Sequence, residues 1–405
     1  MLKKVELLAP AGNLEKAKIA LTYGADAVYV GGKQFSLRAR ASNFTIENLK
    51  ELVLFAKKLN KKVYVTTNII PHDEDLTGLE EYLLNLEQIG VNAIITSSLH
   101  IISTAKRITK NLEVHLSTQM SSSNSQTLSF YQDLGVSRVV LAREVSLKEM
   151  KEISQKSNVE LEVFIHGGMC VSYSGKCVLS NHLSLRDANR GGCAHSCRWN
   201  YHLYQGNRKL TKKNEFFNMG SKDLMALRFI PDLIDMNIAS LKIEGRMKSS
   251  YYLATIVRCY RKAIDLYYEK GNLTEEEIEN LIVEINKAEN RQTSFGFYKG
   301  KTTIEQQLFD TRNETPTKEY VGHIIDYNPE TKIAVVEQRN YFEIGDTLEF
   351  FGPNLENTYL KLEKMWDKET GEELSVARHP LQLILIEVPF KVSKDDMIRL
   401  VLNKS

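Results

Sequence analysis

Thr45-Ile-Glu-Asn-Leu-Lys-Glu-Leu-Val-Leu-Phe-Ala-Lys-Lys-Leu-Asn-Lys-Lys-Val63-Tyr-Val-Thr-Thr67 holds one complete structural unit, and its reading organises most of the chain. Apolar residues recur from Ile46 at the 3.6-residue period of a helix that buries one face. Thr45 stands where a helix cap belongs, because its hydroxyl can accept from an N–H that has no partner within the helix. The run Val63–Thr67 that follows is β-branched and apolar, as a buried strand requires.

The same alternation recurs outward from this unit. Strand-like runs occupy Val5–Ala9, Ala27–Val30, Val63–Thr67, Ala93–Thr96, Leu112–Leu116, Arg138–Leu141, Leu161–Ile165 and Ser240–Ile243, with amphipathic helical segments between them. Ser146 is a second helix cap. Strands alternating with helices across short links predict parallel pairing and right-handed crossovers. Eight such units fit a closed (β/α)8 TIM-like barrel of the α/β class. A doubly wound sheet is the alternative, but it usually has fewer strands and a glycine-rich first turn. Here the first turn is Ala9-Pro-Ala-Gly12-Asn13, with no Gly-x-Gly-x-x-Gly.

One connection breaks the rhythm. After the seventh strand, near His166, about 50 residues pass before a helix expected near Asp223, a length far above the usual connection. Residues 248–290 read as helical, with Cys259 in the core or on the helix surface. The expected organisation is a barrel with trailing helices over 1–290 with a cysteine-rich insert at 167–222, a polar linker at 291–317, and a small β-barrel domain at 318–405. Six short strands support that last domain: Tyr320–Asp326, Ile333–Glu337, Thr347–Phe351, Tyr359–Met365, Gln382–Val388 and Met397–Val401.

No apolar run reaches the 18 residues of a membrane span. The N-terminus passes into a strand with too little apolar length for a signal peptide. A cytoplasmic protein is expected, in a compartment that keeps thiols reduced. Net charge is +2 among 405 residues, so no bulk attraction to polyanions arises. Locally the balance differs. Arg186, Arg190, Arg198, Arg208, Lys209, Lys212 and Lys213 face only Asp187 and Glu215 over residues 186–215. This is either a solvated loop or a phosphate-binding patch, whose candidate contacts are Arg208, Lys209, Lys212 and Lys213.

In a barrel the strand ends carry the chemistry. They supply Asn68, Gln119, Arg143 and Glu144 as candidate substrate contacts. His166, Lys242 and Glu244 are candidate catalytic groups, and Arg246 a further substrate contact. This mixed-charge mouth with several cations suits a small anion. Some of these residues are expected to form structural salt bridges instead.

Four of the five cysteines, Cys170, Cys177, Cys193 and Cys197, fall within 28 residues. Their spacing, Cys-x6-Cys-x15-Cys-x3-Cys, is a poor match to zinc ribbons. Iron–sulfur sites accept more varied spacing, and the glycines around them permit loops to converge. Three readings stay open: a thiolate-bound metal centre, free thiols, or a nucleophilic cysteine paired with His166 or His195.

The segment Glu162-Val-Phe-Ile-His-Gly-Gly-Met-Cys170-x4-Gly175-Lys-Cys177-Val-Leu-Ser180 resembles the signature of the U32 family, historically collagenase-like peptidases. Gly168 stands where that pattern has Ser or Ala. Further matches are Glu6-Leu-Leu-Ala-Pro-Ala-Gly12, Leu37-Arg38-Ala39 with Asn43-Phe44, Arg190-Gly-Gly-Cys193-Ala-His-Ser-Cys197-Arg198-Trp199, Ser221-Lys-Asp-Leu224 and Leu241-Lys-Ile-Glu-Gly-Arg-Met247. The resemblance covers essentially the whole chain and is nearest to the branch that makes 5-hydroxyuridine at the tRNA wobble position.

That resemblance implies an RNA hydroxylase with prephenate as co-substrate, a [4Fe–4S] cluster on Cys170, Cys177, Cys193 and Cys197, and an electron donor or partner subunit. It also adds Arg38 and Asn43 to the substrate contacts. Met225 stands where much of the family has a cysteine. Cys197 would then complete the cluster, or one site is open, or the cluster is lost. A peptidase and a non-catalytic tRNA- or cofactor-delivering subunit are the competing readings.

Overall fold

The computed structural model describes residues 4–37, 43–212, 214–308 and 320–402. Arg38 and Lys213 lie outside the described residues. Seven strands, β1 (Glu6–Pro10), β2 (Ala27–Gly31), β3 (Lys62–Thr67), β4 (Ala93–Thr96), β5 (Glu113–Leu116), β6 (Arg138–Val140) and β7 (Glu160–Gly167), pair in parallel in chain order. The insert carries a short helix, α7 (Leu179–Ser184), a hairpin, β8 (Tyr204–Gln205) with β9 (Arg208–Lys209), and then β10 (Asp223–Met225). Strand β11 (Ser240–Ile243) pairs in parallel with both β7 and β1 and closes the ring. This is the expected eight-stranded barrel.

Helices α1 (Leu14–Thr22), α2 (Ile46–Lys58), α3 (Leu79–Ile89), α4 (Leu99–Ile108), α5 (Ser125–Asp133) and α6 (Leu147–Lys156) fill the first six crossovers. The Thr45 and Ser146 side chains both form capping boxes, with Asn48 and Glu149. Alternation along the strands sorts their residues. Leu7, Val28, Val63 and Ile94 pack outward in the main apolar core with the helices. Leu8, Tyr29, Tyr64 and Ile95 belong to a separate apolar cluster.

Tyr64 also marks a polar layer. Arg138 Nη1 lies 2.6 Å from Glu6 and 3.4 Å from Glu162, and Arg138 Nη2 lies 2.8 Å from Glu160. The Lys242 ammonium lies 2.6 Å from Glu162. Tyr64 donates to Glu6 at 2.6 Å.

The structure differs from the expectation at four points. Asp223 opens a strand rather than a helix: β10 runs antiparallel to the end of β7, and the helix α8 (Ile230–Asp235) begins seven residues later. Strand β7 extends beyond the barrel to Gly167 and so offers β10 a free edge. The trailing helical region is two helices, α9 (Ser250–Lys270) and α10 (Glu275–Asn286), separated at Gly271, whose φ of 75° suits a residue without a side chain. The first part of the expected linker is built into the barrel, since β12 (Thr293–Ser294) pairs with β10 and Tyr298 donates to Phe164 O at 2.7 Å. Tyr359–Met365 is divided between two strands.

The C-terminal domain contains β13 (Tyr320–Asn328), β14 (Ile333–Gln338), β15 (Phe342–Glu343), β16 (Thr347–Phe351), β17 (Thr358–Lys361), β18 (Met365–Asp367), β19 (Glu373–Leu374), β20 (Val376–Ala377), β21 (Leu383–Glu387) and β22 (Met397–Leu400). Eight of them form one antiparallel sheet in the order β17-β16-β22-β13-β14-β21-β18-β19, a half-barrel around its own apolar cluster. Among the described residues no helix is long and apolar enough to cross a membrane.

The two domains meet across a buried ion network. Arg399 on β22 is 1% exposed, donates to Glu349 at 2.7 Å and pairs with Glu284 of α10. Beside it, Tyr251 of α9 stacks on Tyr320, with ring centroids 4.9 Å apart. Burial alone would raise the Glu284 carboxyl, but Arg399 and Lys287 outweigh it and hold it at about 2. Replacing Arg399 by Ala leaves Glu284 and Glu349 to share Lys287 and should cost about 3 kcal/mol in urea unfolding. Because the folded value of Glu284 is depressed, its contribution is complete above its ordinary value of 4.5 and is lost as the pH falls towards 2. The stability difference between the parent and Glu284→Gln should shrink through that window.

Candidate active site

The strand ends open into a cavity of about 550 Å³ at the C-terminal mouth of the barrel. Its floor is formed by Tyr29, Thr66, Ile95, Phe164 and Lys242. The insert roofs it with Met169, Cys170, Ser174, Cys193, His195, Cys197 and Arg198, and a third wall brings Lys248, Tyr252, Asn290 and Arg291. Among the described lining residues, Arg143, Arg198, Lys242, Arg246, Lys248 and Arg291 are cations and Glu244 is the carboxylate. The enclosed space therefore favours an anion.

Each cation is held by a definable device. Arg246 is buried and donates to Ser36 and Asn43 at 3.1 Å each. Gly31 gives it room, since a Cβ there would meet Arg246 Nη2 at 2.1 Å. Arg143 donates to Gly168 O at 3.0 Å and lies over the Phe164 ring at 4.0 Å. Burial lowers the Lys242 ammonium, and Glu162 works against that. Glu162 in turn stays below the usual carboxylate range despite complete burial, because Lys242 and Arg138 offset the desolvation.

Asp223 has no exposed surface and gathers three of the cations. Arg291 lies 3.4 Å, Arg198 3.7 Å and Lys248 3.9 Å from its carboxylate. Sequence reasoning noted the Ser-Lys-Asp-Leu segment but missed this role, and it missed Arg198, Lys248, Tyr252 and Arg291 as lining residues. Arg291 sits in the stretch read as a linker, where nothing in composition marks it. Only the pairing of β12 with β10 brings it to the mouth.

The remaining candidates divide. Asn68 donates to Gln119 at 2.7 Å, and both line the cavity beside Ser117. Glu144 faces the roof, accepting from the Ser174 N–H at 2.7 Å and its hydroxyl at 2.6 Å. Asn43 reaches the site through Arg246. His166 is fully buried, 2.6 Å from Glu289 and 3.1 Å from the Tyr260 hydroxyl, and is not among the lining residues. Arg208, Lys209 and Lys212 lie exposed on the insert, away from the lining.

Cys170, Cys193 and Cys197 line the roof. Burial pushes the Cys197 thiol up, Arg198 opposes it, and Cys170, Cys193 and Cys177 push it further, so all four thiols share one neighbourhood. Asn189 braces Cys177, accepting from its N–H at 3.2 Å and donating to its carbonyl at 3.0 Å. Arg190 ties that loop to Asp75 at 2.8 Å. Met225 is buried on β10 opposite His166 and does not line the cavity, whereas Cys197 does. Among the described residues, no three His, Cys, Asp or Glu side chains are placed so as to hold a metal ion together. Thiols are the ligand type that iron–sulfur centres use. Cys259 stands apart in the core, where burial pushes its thiol up to about 12.

Two adjacent glycines give a direct test of this mouth. Gly167 has φ 98°, and a Cβ on it would meet Glu244 O at 2.5 Å. At Gly168 the nearest atoms to an added Cβ are Glu244 Oε2 at 3.5 Å and Arg198 Nη2 at 3.6 Å, which is ordinary contact. Gly167→Ala should lose about 1–3 kcal/mol of stability, and Gly168→Ala at most about 0.5 kcal/mol, in parallel urea titrations.

A profile described as Peptidase family U32 matches residues 12–308, and one for the Peptidase family U32 C-terminal domain matches residues 316–399. The chain is 48% identical over 405 residues to a Bacillus subtilis protein named tRNA hydroxylation protein P1, covering 98% of this chain and 95% of that one. It is 37% identical over 273 residues to a 23S rRNA 5-hydroxycytidine synthase of Escherichia coli, covering 67% of this chain and 41% of that one. It is 32% identical over 409 residues to a Porphyromonas gingivalis protein named collagenase, covering 97% of each.

Proposed function

This chain belongs to peptidase family U32, and from that premise we propose that it is an RNA hydroxylase acting on C5 of a tRNA wobble uridine, with prephenate as co-substrate. The observation that carries the reading is the cavity itself: six cations around one carboxylate, roofed by gathered thiols, in a chain whose relatives are named for RNA hydroxylation.

In this reading Arg143 and Arg246 grip carboxylates, for which the guanidinium fork is suited. Arg38 is a third candidate from the sequence. Asn43, Asn68, Gln119 and Glu144 keep the polar wall in register through the contacts described above. Glu244 holds or moves a proton at the reacting centre, since it ends β11 and lines the cavity. Lys242 keeps positive charge at the floor. His166 with Glu289 supports the end of β7 from beneath. Arg208, Lys209, Lys212 and Lys213 contact RNA phosphates. The target base must leave its stack to reach the cavity, at a cost that is low in an anticodon loop.

Cys170, Cys177, Cys193 and Cys197 would hold a [4Fe–4S] cluster, which supplies one-electron chemistry when bound. Protein purified without oxygen should contain about four iron atoms per chain. Cys170→Ser or Cys177→Ser should remove most of the iron, and Cys259→Ser should leave it unchanged. Full iron in both of the first two variants would refute the ligand assignment.

The peptidase reading draws on the collagenase relative and on His195 beside the roof cysteines. Mass spectrometry of tRNA nucleosides separates the readings. In cells carrying each variant as their sole copy, Glu244→Gln should abolish 5-hydroxyuridine while tRNA binding persists. Arg246→Lys should require more prephenate for the same product in a reconstituted assay. If 5-hydroxyuridine persists after this gene and every paralogue are deleted, the hydroxylase reading is wrong. Peptide cleavage by the same purified protein would then put the peptidase reading first.

A further inference from the structure

We propose that the ribbon formed by residues 199–212 and 214–217 is a stacking platform for unpaired nucleotides of the RNA, a proposal that rests on the RNA-hydroxylase reading. The ribbon is rooted in the cavity roof. Its chain leaves at Cys197 and Arg198, which line the cavity, and returns where Met219 N–H donates to Cys197 O at 2.8 Å. Tyr201 and Phe217 close the base by exchanging two backbone hydrogen bonds of 2.8 Å. Beyond them the arm runs out to the Gly206-Asn207 turn, with Tyr204 paired to Lys209 and Gln205 to Arg208.

Rings on this arm face solvent: Tyr204 is 60%, Trp199 42% and Phe216 39% exposed. His202 and Phe216 already stack, with centroids 5.0 Å apart and planes 29° apart. So short an arm has no core of its own in which to bury these rings. Cations interleave with them. Lys212 lies 3.4 Å from Glu215, the one acidic residue of the stretch, while Arg208 and Lys209 have no ion pair among the described residues.

Exposed ring faces beside backbone-reading cations match single-stranded nucleic acid, whose unpaired bases stack while its phosphates seek positive charge. A duplex hides its base faces and would use only the cations. The root of the arm at the cavity means that nucleotides stacked on it flank the one that enters. The phosphate patch is thereby given a second function, the selection of an unpaired loop.

The test is fluorescence anisotropy with the full-length protein, using a short labelled single-stranded RNA and the same strand annealed to its complement. Tyr204→Ala and Trp199→Ala should each weaken single-strand binding by about fivefold or more, with little effect on the duplex and an unchanged salt slope. Tyr204→Phe should bind as the parent does, which separates lost stacking from a damaged fold. Lys209→Gln should weaken both ligands and lower the salt slope by about 0.7 for the single strand. Parent-like single-strand affinity in both alanine variants, or equal loss on strand and duplex, overturns the platform. If the parent still forms 5-hydroxyuridine in that case, only the platform has failed. If the parent binds neither RNA and forms no product, the hydroxylase reading fails and the platform falls with it.

Discussion

The carboxylate of Glu162 sits in the barrel wall with no exposed surface, 2.6 Å from the Lys242 ammonium and 3.4 Å from Arg138. Much of the site depends on this contact. An isolated charge at that depth would cost several kcal/mol, so each partner is tolerable only because the others are present. The contact ties β6, β7 and β11 together at the ring's closing seam. It also fixes Lys242 4.6 Å from the centre of the Tyr29 ring, so that a desolvated ammonium forms part of the cavity floor.

The same arrangement is repeated higher in the mouth. Asp223, fully buried, lies among Arg198, Lys248 and Arg291, which reach it from the insert, the barrel and the segment after α10. Buried acids behind a cationic lining keep those cations compensated while an anion is absent. Their positions are set by neutral contacts as well: Arg246 by Ser36 and Asn43, Arg143 by a carbonyl and a ring. A cavity prepared in this way loses little ordering entropy when an anion enters.

The half-barrel domain is attached through groups that cannot separate cheaply. Arg399 bridges Glu349 in its own sheet and Glu284 on α10, and parting the domains would break the Arg399–Glu284 pair and open the Tyr251–Tyr320 stack. The domain and the ribbon are therefore anchored to one barrel, the ribbon through the roof and the domain through α9 and α10.

The sequence by itself determined the barrel. Period-2 and period-3.6 patterns are local, and each of the eight strands falls within a residue or two of its expected position. The strand-end residues Asn68, Gln119, Arg143, Lys242, Glu244 and Arg246 were legible for the same reason, since a barrel's topology assigns strand ends to one face, and the cysteines were legible from their clustering, three of the four lining the roof. What only the tertiary structure decided are relations between distant segments. β10 looked like a helix start because three residues carry no period, and a free edge on β7 made it a strand. His166 read as a strand-end base, but it is buried against Glu289, 123 positions away, and is not among the residues that line the cavity. Arg291 read as linker and became part of the wall. A buried charge takes its role from what surrounds it, and that surrounding is assembled from chain segments whose proximity no local pattern records.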